Sequence, residues 1–138
     1  MKDSHRTKPV LSGLSILCID NYIESLEILR VTLQLEGANV VTASTSNEAL
    51  FVLKQTPIDA VLCDLLMPEE NGIALLHKLR AAGFQGPALA ITGVSDPKVE
   101  ASARSQGFSA YLVKPIEIDH LVSTISSLLP GAATRMAS

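Results

Sequence analysis

The chain has 138 residues, 47% of them apolar and 18% charged, with a formal net charge of −3 and two cysteines. This is the size of one domain with a real core, and the composition indicates neither disorder nor a heavily solvated surface. No apolar run approaches the roughly 18–20 residues of a membrane span. The start, Met1 to Pro9, is polar and basic and lacks the apolar stretch of a secretory signal. The mild acidity argues against nucleic-acid binding through bulk electrostatics.

In chain order, residues 1–13 read as a flexible arm or linker ending in Leu11-Ser12-Gly13. Leu14 to Ile19 is an apolar run typical of a strand buried on both faces, closed by Asp20-Asn21. A helix is expected from about Ile23 to Glu36, with Leu26, Leu29 and Leu33 on one stripe and Gly37 as its stop. Asn39 to Ala43 is a short second strand. Thr45 or Ser46 can cap a helix running to about Gln55, which Thr56-Pro57 breaks.

The third strand starts at Ala60 and ends at Asp64, followed by a loop through Met67-Pro68 to Gly72. A helix from Gly72 to Ala82 carries Leu75, Leu76 and Leu79 and stops at Gly83. Strand four, Ala88 to Ile91, closes at Thr92-Gly93. Ser95-Asp96-Pro97 starts a helix that ends at Gly107. Ala110 to Val113 is the fifth strand, closed by Lys114-Pro115, and a last helix runs from about Ile118 to Leu129. Residues 130–138 read as a flexible tail.

Five strands alternating with five helices through short loops predict a single α/β domain, residues 14–129, with a doubly wound parallel sheet. The flavodoxin-like strand order 2-1-3-4-5 is the natural candidate and makes strands one and three neighbours. Cys18 and Cys63 lie in apolar strands. A disulfide or metal pair is one reading, and two small buried hydrophobes the favoured one.

Polar residues collect where the strands end: Asp20-Asn21, Asp64, Thr92 and Lys114. In this topology those ends meet on the edge of the sheet where α/β proteins bind ligands. Asp20 and Asp64 suit magnesium, which takes hard oxygens including one or two carboxylates. A carboxylate can also attack phosphorus to give an acyl phosphate, with Lys114 and Thr92 balancing charge on the transferring oxygens. Each residue has a plainer reading as well. Asp20 can cap the first helix, Thr92 can be a turn hydroxyl, and Lys114 can be a surface charge paired with Asp64. Taken together, the complementary groups favour the chemical reading.

The residues Ile16-Leu17-Cys18-Ile19-Asp20-Asn21, Asp64-Leu65-Leu66-Met67-Pro68, Gly72, Thr92 and Tyr111-Leu112-Val113-Lys114-Pro115-Ile116 resemble the receiver domain of two-component response regulators. The match covers nearly all of residues 14–129. The resemblance implies that Asp64 is the phosphoacceptor, taking a phosphoryl group from a histidine kinase or histidine phosphotransfer protein. It implies a magnesium site of Asp20, Asn21, Asp64 and the Leu66 backbone carbonyl, with Thr92 and Lys114 holding the phosphoryl oxygens. Thr92 and Tyr111 match the family's switch pair, in which the hydroxyl moves toward the phosphate and the ring turns inward. Such a domain is a cytoplasmic signalling phosphoacceptor rather than an enzyme, acting on a downstream protein without touching nucleic acid or membrane. The family docks its histidine-bearing helices near Ile23 and Leu26.

One position departs, since the family usually has a second acid where this chain has Asn21. Its side-chain oxygen can still coordinate but brings no charge, so weaker magnesium binding is expected. Leu66 and Val94, two residues beyond Asp64 and Thr92, are apolar and are expected to exclude hydrolytic water, predicting slow self-dephosphorylation. The rival reading is a pseudo-receiver, a protein-interaction module that works without phosphate. A haloacid-dehalogenase-type hydrolase would want an acid at Leu66, and a flavodoxin would want a Ser/Thr/Gly-rich loop where Asp20-Asn21-Tyr22-Ile23-Glu24 stands. The Leu11-Ser12-Gly13-Leu14 entry and the Asp20-Asn21 pair look similar to receivers at the ends of hybrid sensor kinases, with a free-standing regulator as the alternative.

Overall fold

A computed structural model describes residues 10–129. Five strands, β1 (Ser15–Ile19), β2 (Asn39–Ala43), β3 (Ala60–Cys63), β4 (Ala88–Thr92) and β5 (Ala110–Val113), alternate with five helices. These are α1 (Ile23–Leu35), α2 (Ser46–Gln55), α3 (Gly72–Ala81), α4 (Pro97–Ser105) and α5 (Ile118–Leu128). The sheet is wholly parallel with order β2-β1-β3-β4-β5, the flavodoxin-like arrangement expected from the sequence.

Every residue of β3 and β4 is buried, which explains why both read as continuous apolar runs rather than alternating ones. Alternate side chains feed two cores. Leu17, Ile19, Val61, Cys63, Ala88 and Ala90 face Ala49 of α2, Leu75, Leu76 and Leu79 of α3, and Ala103 of α4. Ile16, Cys18, Leu62, Leu89 and Ile91 face Leu26 and Leu33 of α1 and Leu121, Val122 and Ile125 of α5. Each fully buried leucine in these layers stabilises the domain by roughly 1.5–3 kcal/mol relative to exposure. The pleat separates the cysteines, since Cys18 belongs to one core and Cys63 to the other, and both are free thiols. They behave as small hydrophobes. Burial, then the charge of Asp20, pushes the Cys18 thiol up to about 12, and burial raises Cys63 as well.

Local chemistry sets the helix ends. Thr45, rather than Ser46, caps α2 by accepting from the Glu48 N–H, and Glu48 reaches back to the Ser44 N–H at 2.7 Å. Asn71 caps α3 and Asp96 caps α4, with Pro97 in the first turn. Gly37, at φ 95°, stops α1 by donating to the Gln34 carbonyl.

The arm expected over residues 1–13 does not extend that far. Leu11 is fully buried in the α1–α5 core, and its N–H donates to the Glu36 carbonyl at 2.9 Å. The apolar Val10-Leu11 pair carries this signal, because a leucine that finds a core site outweighs the entropy of a free chain. Packing therefore begins before Leu14. The expectations for residues 1–9 and for the tail 130–138 lie outside the described residues.

Candidate functional site

The sheet brings Asp20, Asp64, Thr92 and Lys114 to one edge, because β1, β3, β4 and β5 run parallel and end together. The Ile19–Cys63 register sets Asp20 and Asp64, the next residue of each chain segment, side by side. Asp20 is 1% exposed, Asp64 6% and Thr92 0%, so the three polar groups are taken out of water. Lys114 reaches over them, its Nζ 2.7 Å from Asp20 Oδ2 and 3.5 Å from Asp64 Oδ2. The ammonium thus lies nearer to Asp20 than to Asp64. The Lys114–Pro115 peptide bond is cis.

The other carboxylate oxygen of each is met by backbone. The Leu66 N–H donates to Asp64 Oδ1 at 3.0 Å, and the Tyr22 N–H donates to Asp20 Oδ1 at 2.9 Å. Asp20 therefore supports the turn into α1 as well as facing Lys114. Thr92 Oγ1 accepts from the Val94 N–H at 3.3 Å, and the Tyr111 hydroxyl donates to the Val94 carbonyl at 2.6 Å. The Tyr111 ring is buried among the β4, α3 and α4 side chains.

Electrostatics follow from this packing. Burial raises the Asp64 carboxyl above the usual carboxylate range, with the Leu66 N–H and the Lys114 charge pulling the other way. For Lys114, burial disfavours the charged form, but the hydrogen bond and charge of Asp20, with help from Asp64, raise it overall. Burial also raises the Tyr111 phenol, followed by the charges of Glu100 and Asp96.

A cleft of about 540 Å³ opens over Asp64, walled by Asn21, Tyr22, Leu66, Met67, Gly93 and Lys114 among others. Leu66 is 59% exposed at its mouth, whereas Val94 is half-buried and does not form part of its wall. Ile23 is exposed at the start of α1, while Leu26 is buried in the core and cannot present a contact.

The donor set fits a hard divalent cation. Two buried carboxylates share one ammonium, leaving a net negative charge, and Asn21 adds an amide oxygen at the cleft wall. Among the described residues no three His, Cys, Asp or Glu side chains gather into a metal-holding group. A cation here would therefore draw on oxygens other than a third acid.

The motifs gave no warning of a further set of contacts. Glu70, in the loop after Asp64, accepts from the Ser46 hydroxyl at 2.6 Å and pairs with Lys78 Nζ at 2.7 Å. Gly72 has a steric reason of its own. A Cβ there would stand 2.6 Å from the Asp64 carbonyl oxygen and 2.9 Å from the Leu65 Cα.

Comparison with known proteins agrees with this fold. A family model described as the response regulator receiver domain matches residues 16–126. The transcriptional regulatory protein ZraR of Escherichia coli (strain K12) is 34% identical over 117 residues, covering 85% of this chain and 26% of that protein. The chain thus spans about a quarter of the length of the ZraR relatives it matches. A 14.6 kDa protein of Leptolyngbya boryana, itself uncharacterized, is 31% identical over 117 residues, covering 83% of this chain and 89% of that one. Among solved structures, chemotaxis protein CheY4 of Vibrio cholerae superposes with a TM-score of 0.78 at 26% identity, covering 83% of this chain and 98% of that one. A two-component response regulator from Clostridium difficile gives 0.81 at 22% identity, covering 91% and 100%, and speaks to the fold alone. With the family model spanning all five strands, the chain belongs to the receiver domains of two-component response regulators.

Proposed function

We propose that Asp64 accepts a phosphoryl group from the phosphohistidine of a histidine kinase or histidine phosphotransfer protein, and that the acyl phosphate alters contacts with a downstream protein. One observation carries this reading. Asp64 is a buried carboxylate at the end of β3, open to a cleft, with an ammonium 3.5 Å away and a backbone donor at 3.0 Å. An Asp64 oxygen attacks phosphorus, an O–P bond forms and the P–N bond to imidazole breaks.

Receiver domains generally hold Mg2+ at this acidic pocket. Here Asp20, Asp64, the Asn21 side-chain oxygen and the Leu66 carbonyl would hold it, and when bound it neutralises charge on the phosphoryl oxygens. Lys114, 3.5 Å from Asp64 Oδ2, would supply a second positive charge and the Thr92 hydroxyl a hydrogen bond. Val94 joins the proposed switch pair, because its N–H holds the Thr92 hydroxyl and its carbonyl holds Tyr111. A Thr92 hydroxyl that turns to a phosphoryl oxygen gives up the Val94 N–H and loosens the strap over Tyr111. Phosphorylation then shifts the populations of the β4–α4 and β5 surface. In this reading the domain is a signalling phosphoacceptor of the cytoplasm. The same chemistry serves a free-standing regulator or a domain of a hybrid kinase.

The test is labelling by a small phosphodonor such as acetyl phosphate with millimolar magnesium, read by intact mass. Wild type gains one phosphoryl group and Asp64→Asn gains none. Asn21 also favours the competing interaction module, since it leaves two acids that already share an ammonium. The Asn21→Asp variant separates the two readings. A phosphoacceptor labels at several-fold lower magnesium in that variant, whereas an interaction module stays unlabelled as wild type under all conditions.

A further inference from the structure

We propose that Glu70 is a positioning residue for this site, tying the segment after Asp64 to α2 and α3 and thereby fixing the Leu66 backbone. The proposal rests on the phosphoacceptor reading above. The Leu66 amide donates to Asp64, and its carbonyl faces the cation in that reading, so its placement matters for both.

The segment between Asp64 and α3 has few other supports. At its two ends, the Gly72 N–H donates to the Leu65 carbonyl at 2.9 Å and the Asn71 side chain caps α3. Leu66, Pro68 and Glu69 are exposed, whereas Leu65, Met67 and Glu70 turn toward the body of the domain. Met67 contributes apolar burial, which is non-directional. Glu70 contributes direction, since each of its oxygens is taken by a different helix. Oε1 accepts from the buried Ser46 hydroxyl, the first residue of α2, and Oε2 meets Lys78 in α3.

The tie is more than a surface pair. The Glu70 side chain is 16% exposed, so water competes poorly for it, and a hydroxyl and an ammonium fix its carboxylate from two sides. The Lys78 and Ser46 hydrogen bonds hold its carboxyl below the usual range, keeping it ionised through neutral pH. Groups that orient ligands from outside a metal site typically change metal affinity by about 10–100-fold when removed.

The experiment is a magnesium titration of the intact chain, following the Leu66 and Asn21 backbone amides by heteronuclear NMR, whose dispersion also reports folding. Glu70→Ala is expected to weaken magnesium binding by about tenfold. Ser46→Ala weakens it in the same direction, and Glu70→Gln, whose amide oxygen still accepts from Ser46, falls between wild type and Glu70→Ala. Glu69→Ala removes the same charge from an exposed position of the same loop and stays near wild type. Equal weakening by Glu69→Ala and Glu70→Ala reduces the effect to charge and overturns the proposal, as does unchanged binding in Glu70→Ala. If Glu70→Ala fails to fold, Ser46→Ala set against Glu69→Ala decides. A wild type that takes up neither magnesium nor a phosphoryl group overturns the phosphoacceptor reading and this proposal with it. A wild type that takes both, beside an indifferent Glu70→Ala, overturns this proposal alone.

Discussion

Leu66 stands exposed at the mouth of the cleft while Asp64, two residues earlier, is buried and bonded to the Leu66 amide. In the proposed reaction, the backbone of one residue therefore serves the acceptor carboxylate, and its side chain stands at the approach. An apolar side chain there cannot orient a water for attack on an acyl phosphate. Val94 is half-buried outside the cleft wall, so most of the shielding expected from this pair falls to Leu66. The double variant Leu66→Asn, Val94→Glu is expected to shorten the lifetime of the aspartyl phosphate several-fold, measured as phosphate release after removal of donor. An unchanged lifetime would show that neither side chain governs water access. Leu66→Asn alone should give most of the effect.

At the level of elements, the β4–α4 connection is strapped to β5 by one hydrogen bond, Tyr111 to the Val94 carbonyl at 2.6 Å. Val94 simultaneously donates to Thr92, so a single residue couples the end of β4 to the β5 ring. The hydroxyl belongs to a buried ring, so its removal leaves the Val94 carbonyl short of a partner. Tyr111→Phe is predicted to cost about 1 kcal/mol of stability. It should also speed amide exchange at Gly93, Val94 and Ser95 more than in the α2 and α3 regions, as hydrogen–deuterium exchange can resolve. Uniform acceleration across the sheet would count against a local strap. The β3–α3 loop has a different support, the Glu70 link to Ser46 and Lys78, and should respond little to this change.

For the whole molecule, burying Asp64 carries a stability cost at one sheet edge. Asp64 has its carboxyl raised mainly by burial, so its ionised form is disfavoured in the folded state relative to the unfolded chain. Asp64→Asn removes that charge while Lys114 keeps Asp20 at 2.7 Å. The expected result is a midpoint a few degrees higher at neutral pH, the scale of about 1 kcal/mol in a domain of this size. The sign follows from linkage. As pH falls through the raised pKa of Asp64 toward its unfolded value, wild type becomes neutral there too and the advantage of the variant shrinks. Lys114 acts oppositely, because its raised pKa gives stability that is full below the ordinary amine value and is lost as pH climbs through the raised one. Thermal denaturation of both proteins across pH checks the two arms.

How much of this was legible beforehand differs by residue. The runs Leu14–Ile19, Ala60–Cys63 and Ala88–Ile91 announced strands buried on both faces, because a parallel sheet covered by helices needs apolar side chains at every position. That pattern, with glycines and prolines between the segments, carried the fold class and the strand order, and hence the meeting of Asp20, Asp64, Thr92 and Lys114 at one edge. Leu11 escaped it because the Val10-Leu11 pair before Ser12-Gly13 is too short to show a period, and its burial depends on a slot beside α1. Glu70 escaped it for a related reason. Its partners lie 24 residues before it and one helix after it, and no local spacing brings a serine hydroxyl and a lysine to one carboxylate. Lys114 was readable as a partner of Asp64, yet the folded chain sets it closer to Asp20. By itself, then, the sequence determined the elements, their order and the chemistry gathered at the strand ends, since period and punctuation are local properties of the chain. Only the tertiary structure decided which carboxylate holds the ammonium, what braces the loop after Asp64 and where the packed chain begins, because those depend on distances between segments remote in sequence.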